Sequence, residues 1–252
     1  MKIVTWNVNS VKSRLEHLTK YLRETSPDVV LLQELKCETD AFPRMEVEDC
    51  GYNLAIHGQK TYNGVAILSK FPLEDVLKNF DETDEQARYI EAVTNGVRVA
   101  SVYVPNGQEP NSDKFQYKMQ FFEKLRLHMK NTLEYDEKFV VGGDYNVAPE
   151  DIDVFDPKGM AGTTCFHPDE QIRFKAILNL GFTDAFRAKH QGVQKFSWWD
   201  YRAGAWQYNK GMRIDHFLLS PQAADVLKSS DVDSVPRGWE KPSDHAPVWV
   251  EL

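Results

Sequence analysis

The stretch that decides the fold is "KFVVGGDYN", residues 138–146. Its uncharged apolar run, "FVVGG", is typical of a strand buried inside a sheet. The run stops at Asp144 and Asn146, in a polar turn. A carboxylate and an amide at the end of a buried strand are costly to bury unless they have partners. The stretch therefore predicts an interior strand that delivers polar side chains to one edge of a sheet.

Other apolar strands end in the same way. The predicted strands are "KIVTWNV", "DVVLLQE", "NGVAIL", "VRVASVYV", "RIDHFLLS" and "APVWVEL". The polar side chains at or beside the strand ends are Asn7, Asn9, Glu34, Asp144, Asn146, Asp215, Asp244 and His245. Taken singly, Glu34 reads as a solvated carboxylate, "DYN" as an Asx turn and His245 as a structural histidine. Together they indicate a site for a hard cation with a histidine beside it.

Helical patterns separate these strands. Leu15, Leu18 and Leu22 recur at helical spacing. The run from Phe115 to Met129 predicts a long amphipathic helix, with Ser112 or Asp113 as its N-cap. "PDEQIRFKAILNLG" predicts a further helix with Gly181 as its C-cap. This order predicts one α/β domain over 1–252, a four-layer sandwich of two packed mixed sheets flanked by helices. A single doubly wound sheet is the alternative.

Composition limits the class of protein. The 252 residues are 42% hydrophobic, enough for a sizeable core, and the apolar runs are too short to span a membrane. The start, "MKIVTWNV", reads as a strand rather than a signal peptide. Three scattered cysteines do not form a disulfide or zinc framework. We expect a reduced, cytoplasmic protein. The net charge of −8 argues mildly against a polyanionic partner, although local basic groups remain possible.

The residue types define a chemistry. Carboxylate oxygens suit Mg²⁺ or Mn²⁺, and magnesium leaves coordination positions for phosphate oxygens. Asparagine amides can hold a phosphate without adding negative charge. A histidine paired with an aspartate serves as a charge-stabilising donor or as a base. The set predicts metal-assisted hydrolysis of a phosphoester.

The motif order resembles a known family. "TWNVNS", "LLQELK", "GVAILSK", "YVPNG", "GGDYNVAPEDID", "FSWWDYR", "GMRIDHFLLS" and "KPSDHAPVW" occur in the order typical of the exonuclease III-type AP endonucleases. These belong to the wider endonuclease/exonuclease/phosphatase superfamily, whose fold is DNase I-like. The resemblance runs from Met1 to Leu252. "GDxN" and "SDHxP" are common to the superfamily, whereas "FSWWDYR" and "KPSDHAPVW" are more specific to its DNA-repair branch.

The resemblance implies a role for each polar strand end. Glu34 would be the main metal ligand, with Asn7, Asn9 and the carboxylate of Asp244 on the same side. Asp144 would position or deprotonate the attacking water, and Asn146 would hold the scissile phosphate. Asp215 would orient His245, which would stabilise the transition state. Tyr103 would contact the phosphate or the leaving group, with Asn106 nearby.

The resemblance also implies a DNA interface. Trp198 and Met212 match positions that wall an apolar pocket for a baseless sugar, while a simple strand alternation would put one of Trp198 and Trp199 in the core. Candidate contacts to DNA phosphates are Lys36, Lys60, Lys114, Lys118, Arg202 and Lys210. Any one of them reads more readily as an ordinary surface charge, and only the set, which flanks the motifs, indicates a DNA-binding groove.

His167, in "TTCFHPDEQ", departs from the family pattern, in which other residues occupy this place. The family's corresponding loop lies on the DNA side, near the sugar pocket. An imidazole at the entrance would hinder a baseless sugar that must rotate out of the duplex more than it would hinder a 3′ end. A solvated histidine that touches a phosphate or nothing is the alternative.

Three functions compete at this level. The first is a DNA-repair phosphodiesterase that acts as a monomer on duplex DNA, at abasic sites or at 3′ ends. The second keeps the chemistry but hydrolyses an inositol phosphate, a phospholipid or a nucleotide. The third is a non-catalytic binding protein, which would have no reason to keep Glu34, Asp144, Asn146, Asp215 and His245 together.

Overall fold

The architecture comes from a computed structural model that describes residues 1–81 and 83–252. The strands are β1 (Lys2–Asn7), β2 (Val29–Gln33), β3 (Asn53–His57), β4 (Val65–Ser69), β5 (Glu74–Lys78), β6 (Tyr89–Thr94), β7 (Val97–Tyr103), β8 (Phe139–Asp144), β9 (Thr183–Asp184), β10 (Trp198–Trp199), β11 (Gly211–Met212), β12 (Asp215–Leu219), β13 (Ser229–Val232) and β14 (Val248–Glu251).

The helices are short apart from three of them. They are α1 (Leu15–Thr25), α2 (Arg44–Glu48), α3 (Asp113–Thr132), α4 (Pro157–Met160), α5 (Pro168–Leu178), α6 (Ala185–Lys189) and α7 (Pro221–Ala224). Single 3₁₀ turns occur at Thr39–Ala41, Leu133–Tyr135, Asp151–Asp153 and Val235–Gly238. Within the described residues, no helix combines the length and apolar character needed to cross a membrane.

The strands form two mixed six-stranded sheets, so the doubly wound alternative is wrong. The first sheet has the order β13-β14-β1-β2-β4-β3, and the second has the order β5-β6-β7-β8-β12-β9. A small ribbon pairs β10 with β11. The predicted strand runs correspond to β1, β2, β4, β7, β8, β12 and β14.

Alternation along each strand divides the core into layers. In β1, Ile3 faces the space between the sheets, whereas Val4 and Trp6 face outward against α1. In β8, Val140 lies between the sheets and Val141 packs outward under α3 and α5. The predicted four-layer sandwich, helix–sheet–sheet–helix, is therefore confirmed.

The sheets approach closely beneath the polar strand ends. A Cβ added to Gly142 would lie 2.8 Å from Leu31 Cδ1 of the first sheet, and 2.4 Å from the Phe217 ring of its own sheet. Nearby, the Gln33 amide donates to the Ser101 hydroxyl of the other sheet at 2.9 Å. Gly142 thus leaves room for the first sheet to approach, whereas Gly143 lets β8 lie close to the Val102 carbonyl of β7.

The helix caps agree only partly with the sequence predictions. Ser112 is the N-cap of α3, and its hydroxyl accepts from the Phe115 amide. The predicted C-cap of α5 is wrong by two residues, because Asn179 caps the helix. The chain continues in tight turns, with Gly181 N–H donating to the Leu178 carbonyl, and Gly181 then takes the left-handed φ of +111°.

Candidate active site

Strand register brings the predicted polar ends together. In the parallel pair β1–β2, Asn7 lies opposite Gln33, so Glu34 follows directly beyond it. In the parallel pair β7–β8, Tyr103 lies opposite Asp144. The antiparallel strand β12 begins at this same edge and sets Asp215 opposite Asp144.

The segment before β14 closes this edge from the other side. The Ser243 hydroxyl donates to the Asn7 carbonyl at 2.7 Å, and the Trp6 indole donates to the His245 carbonyl at 3.1 Å. His245 also forms an isolated bridge with Trp198. These contacts fix Asp244 and His245 beside the first strand, although they are more than 200 residues apart from it in sequence.

Asn7 joins the two sheets at the site. Its buried amide nitrogen donates to Glu34 Oε1 and to Asp144 Oδ2, each at 3.0 Å. The Tyr103 hydroxyl donates to Glu34 Oε1 at 2.9 Å, and the Asn146 backbone N–H donates to Asp144 Oδ1 at 2.9 Å. Both carboxylates are thus held in fixed orientations by neutral donors.

His245 and Asp215 form a buried pair. The two Asp215 oxygens lie 2.9 and 3.0 Å from His245 Nδ1, and the Ser197 hydroxyl donates to Asp215 Oδ2 at 2.6 Å. Burial alone would lower the pKa of His245, but the Asp215 and Asp144 carboxylates raise it to about 10. His245 is therefore an imidazolium at neutral pH, with Nε2 3.7 Å from Asp144 Oδ2.

The two carboxylates differ in basicity. Burial raises the pKa of Asp144 to about 7, with Asp215 adding to the shift and His245 opposing it. Burial would also raise the pKa of Glu34, but the Lys36 ammonium and the Asn7 amide lower it below its usual value. Glu34 is thus ionised at neutral pH, whereas Asp144 can exchange a proton there.

The donor set fits a hard cation. Glu34, Asp144 and His245 each offer a ligand atom, all within 4.8 Å of one another. A cation is already favoured here, because Lys36 Nζ lies 2.9 Å from Glu34 Oε2 and 2.5 Å from Asn9 Oδ1. A metal ligand must be deprotonated, so the protonated His245 is a poor one and the carboxylate oxygens are the suitable donors.

The other predicted ligands stand around this cluster. Asn7 presents its amide nitrogen to the carboxylates, as described above. Asp244 accepts from the Asn9 amide at 2.9 Å and from the Trp198 indole at 3.0 Å. Asp244 is not part of the Glu34–Asp144–His245 cluster, and metal binding by Asn7, Asn9 or Asp244 stays a prediction.

A cavity of about 420 Å³ opens beside these groups. Trp198 and Met212, which face each other across the β10–β11 ribbon, line it together with Ile214. Trp199 is buried in the core while Trp198 is half-buried at the cavity, as strand alternation predicts, and a role of Trp198 in binding a baseless sugar stays a prediction. On the opposite wall, the Asn106 amide donates to Asn146 Oδ1 at 3.0 Å.

Sequence reasoning missed several residues of the site. Ser197 holds Asp215, and its position inside "FSWWDYR" was the available signal. Thr164 and Cys165 line the cavity, but nothing in the sequence distinguishes them. The Arg88 guanidinium lies 4.8 Å from the centre of the Tyr103 ring, in the wall of an adjoining cavity of about 430 Å³.

Lys118 is not a DNA contact, contrary to prediction. Its side chain is completely buried and forms an ion pair with Glu170. Lys36 is partly exposed at the site, and Lys60, Lys114, Arg202 and Lys210 are exposed on loops or at the start of α3. These five remain predicted contacts to DNA.

His167 has a structural task that the sequence did not reveal. It is the N-cap of α5, and its Nδ1 accepts from the Asp169 N–H at 3.2 Å. Its ring packs edge-on against Phe115, with centroids 5.1 Å apart. Among the described residues, those lining the Trp198–Met212 cavity include Thr164 and Cys165 but not His167. The side chain, which is 23% exposed, is therefore tethered to the start of α5 rather than free.

The fold and the site define a class of protein. A sequence model of the endonuclease/exonuclease/phosphatase family matches residues 4–245, and the chain belongs to that family. It is 32% identical to exodeoxyribonuclease III of Haemophilus influenzae, with 100% of both chains covered.

Solved structures give the same result. The chain resembles a 3′-5′ exonuclease, NExo, from Neisseria meningitidis at TM-score 0.98 and 41% identity, covering 100% of this chain and 99% of that one. It resembles an AP endonuclease from Archaeoglobus fulgidus at TM-score 0.96 and 37% identity, with the same coverage. The predicted family resemblance is confirmed, and the chain is a hydrolytic nuclease of a metal-dependent family.

Proposed function

We propose that the protein is a Mg²⁺-dependent phosphodiesterase of DNA repair that hydrolyses duplex DNA at abasic sites or at 3′ ends, with Mn²⁺ as an alternative ion. Its full-length relatives support the class of DNA-repair nuclease. The observation that carries the proposal is the cavity on which Glu34, Asp144, Asn146 and His245 converge beside Trp198. Such a site provides ligands for a cation, a base, amide donors and an apolar wall, all beside the position of one phosphodiester.

Each side chain has a proposed task in the reaction. An ion held by Glu34 and its oxygen neighbours would supply Lewis-acid charge to the phosphate. Asp144 would orient the attacking water and accept its proton. Asn146 and Asn106 would donate to the phosphate oxygens, and Tyr103 would contact the phosphate or the leaving group. The His245 imidazolium, oriented by Asp215, would stabilise the negative charge that develops in the transition state.

One assay separates this proposal from hydrolysis of a small phosphoester. Labelled duplex DNA, with and without an abasic site, is incubated with Mg²⁺, with Mn²⁺ or with EDTA, beside an inositol phosphate and a phospholipid. We expect metal-dependent cleavage of the DNA. Cleavage of the small phosphoesters in preference to DNA would contradict the proposal.

We also propose that the protein acts as a monomer in the cytoplasm. Its cysteines are free, with Cys37 and Cys165 buried, which suits a reducing compartment.

Duplex binding is expected to weaken steeply with salt despite the net charge of −8. Local cations that neutralise phosphates release counterions, so log affinity should fall linearly with log salt concentration. Anisotropy titrations with the cleavage-deficient Glu34→Gln variant would measure the slope. Each of Lys114→Gln and Arg202→Gln should reduce the slope by about 1 per lost contact.

Lys138→Gln is the matched control for the salt prediction. Lys138 is exposed and precedes β8, at the end opposite to Asp144, about 20 Å along the strand. Its loss should leave the slope unchanged. A flat salt dependence of the unmodified protein would contradict binding through local cations.

Removing the His167 ring is expected to raise abasic incision relative to 3′-end trimming, if the imidazole restricts entry of a rotated sugar. The relevant measurement is the ratio of the two rates for His167→Gly and His167→Asn. Asparagine keeps a side-chain oxygen that can cap α5. Glycine lacks that cap, but at an N-cap position it lowers helix stability by only about a few tenths of a kcal/mol.

Both variants should therefore change the ratio in the same direction. A changed ratio in His167→Gly with an unchanged ratio in His167→Asn would assign the effect to the cap. Proportional changes in both rates, or dominant abasic incision by the unmodified protein, would show that His167 is not a gate.

A further inference from the structure

Lys118 is the buried cation that lies directly behind the candidate phosphate-binding amides. Its side chain, on α3, has no exposed surface. Its ammonium donates to Glu170 Oε1 at 2.5 Å, to the Asn146 carbonyl at 2.6 Å and to the Asn106 carbonyl at 3.1 Å. An ammonium has three donors, so all of them are used within the protein.

The two carbonyls belong to the loops that deliver the amides to the cavity. Asn106 follows β7 and Asn146 follows β8, and their side chains hydrogen-bond to each other at 3.0 Å. The Asn146 amide nitrogen also donates to the Val104 carbonyl at 3.0 Å. The Lys118 ammonium thus binds the backbone carbonyls of both residues, while their side-chain amides hydrogen-bond to each other.

The position of Lys118 is itself tightly defined. The second Glu170 oxygen accepts from the His167 backbone N–H at 3.1 Å, so the ion pair is tied to the start of α5. Gly107 packs against the aliphatic stem, with a φ of +88°, and a Cβ there would lie 3.0 Å from Lys118 Cδ. The ammonium can therefore move little without moving a helix or a loop.

Stability alone does not account for this arrangement. A fully buried lysine is rare, and desolvation of a buried ion pair can exceed the attraction it gains, so apolar replacements are often neutral or stabilising. A charged donor does, however, hold carbonyl oxygens at short distances. Its benefit lies in fixing the geometry of the two loops.

We propose that Lys118, held by Glu170, is a positioning residue that sets the relative placement of the Asn106 and Asn146 amides for catalysis. The inference rests on the proposed function, in which these amides hold the scissile phosphate. Misplacing a binding group by about 1 Å can cost about 10²-fold in rate. The loss is expected in kcat rather than in DNA affinity, because the Lys118 side chain has no exposed surface with which to contact DNA.

The double variant Lys118→Met/Glu170→Met separates positioning from stability, because it removes both charges together. We expect a melting temperature close to that of the unmodified protein, and kcat lower by about 10- to 100-fold with little change in KM. Glu91→Gln is the control, since Glu91 is a buried carboxylate whose partners are Tyr89, Arg98 and His128. It should change stability but not kcat.

Combining Lys118→Met/Glu170→Met with Asn146→Ala tests whether Lys118 affects kcat through the Asn146 amide. If Lys118 acts through the amide, adding the Met pair to Asn146→Ala should lower kcat by less than threefold further. A full multiplicative loss, or an unchanged kcat in the folded Met pair, would overturn the proposal. Should the Met pair not fold, Glu170→Gln carries the same test, with a smaller expected loss of kcat.

Hydrogen exchange gives a readout that does not depend on activity. In the Met pair we expect faster exchange confined to residues 104–112 and 145–150, relative to the unmodified protein. Unchanged exchange there, or acceleration spread over the whole chain, would overturn the positioning role. Absence of metal-dependent DNA cleavage by the unmodified protein would instead overturn the proposed function, and exchange would still decide the role of Lys118 in placing the loops.

Discussion

Glu34→Gln is expected to lower metal-dependent cleavage by about 10³-fold or more while leaving the fold intact. Charge stabilisation by a bound ion contributes several kcal/mol to such reactions, and each 1.36 kcal/mol is tenfold in rate. The glutamine oxygen can still accept from Asn7 and Tyr103, so the local hydrogen bonds have a replacement. The Lys36 ammonium, now without its carboxylate partner, would oppose an incoming cation.

The measurement is the initial rate on a duplex with a single abasic site, over a range of Mg²⁺ concentrations. Glu38→Gln is the matched control, because Glu38 is exposed and only four residues away. It should retain full activity, and both variants should melt at nearly the same temperature. Undiminished cleavage by the unmodified protein in excess EDTA would contradict a role for any metal.

The convergence of the polar strand ends could be predicted from sequence because it depends on backbone pattern. "KFVVGGDYN" and "DVVLLQE" contain short apolar runs that are typical of buried strands, and each ends at the polar edge. Parallel neighbours such as β7 and β8 necessarily end on the same side. Gly142 of β8 then leaves room for Leu31 of the other sheet beneath that edge.

Features that depend on distant partners could not be predicted. The burial of Lys118 requires Glu170, a residue 52 positions away on another helix, and a lysine in sequence otherwise reads as a surface charge. The capping role of His167 depends on the backbone angle at the start of α5. Strand β5 is exposed throughout, so it carries no apolar signal, and β9 and β11 have two residues each.

The Asp215–His245 pair is expected to behave as one catalytic unit. Asp215→Asn and His245→Gln should each lower kcat by about 10²-fold or more, the scale of a lost proton donor or charge stabiliser. Asp215 holds the ring at 2.9 Å and is the largest contributor to the raised pKa of His245. Without that carboxylate, both the orientation and the positive charge of the imidazole are weakened.

Asp184→Asn is the control for loss of a buried aspartate. Asp184 is paired with Arg213 at 2.9 Å and lies 3.9 Å from His216, away from the residues that line the cavity. This change should lower the melting temperature and leave kcat per folded molecule nearly unaltered. A comparable fall in kcat would mean that the loss in Asp215→Asn reflects general destabilisation of the second sheet.

The decisive measurement is the double variant Asp215→Asn/His245→Gln, assayed on the same abasic duplex. Residues that act as a unit give losses that do not add, so the double variant should be scarcely slower than the slower single variant. Independent roles would instead multiply the two losses, to about 10⁴-fold or more. In Asp215→Asn, the Ser197 hydroxyl can still donate to the side-chain oxygen at position 215. Loss of the Ser197 contact therefore gives no reason for a further fall in kcat. Fully multiplicative losses would therefore contradict the pairing itself.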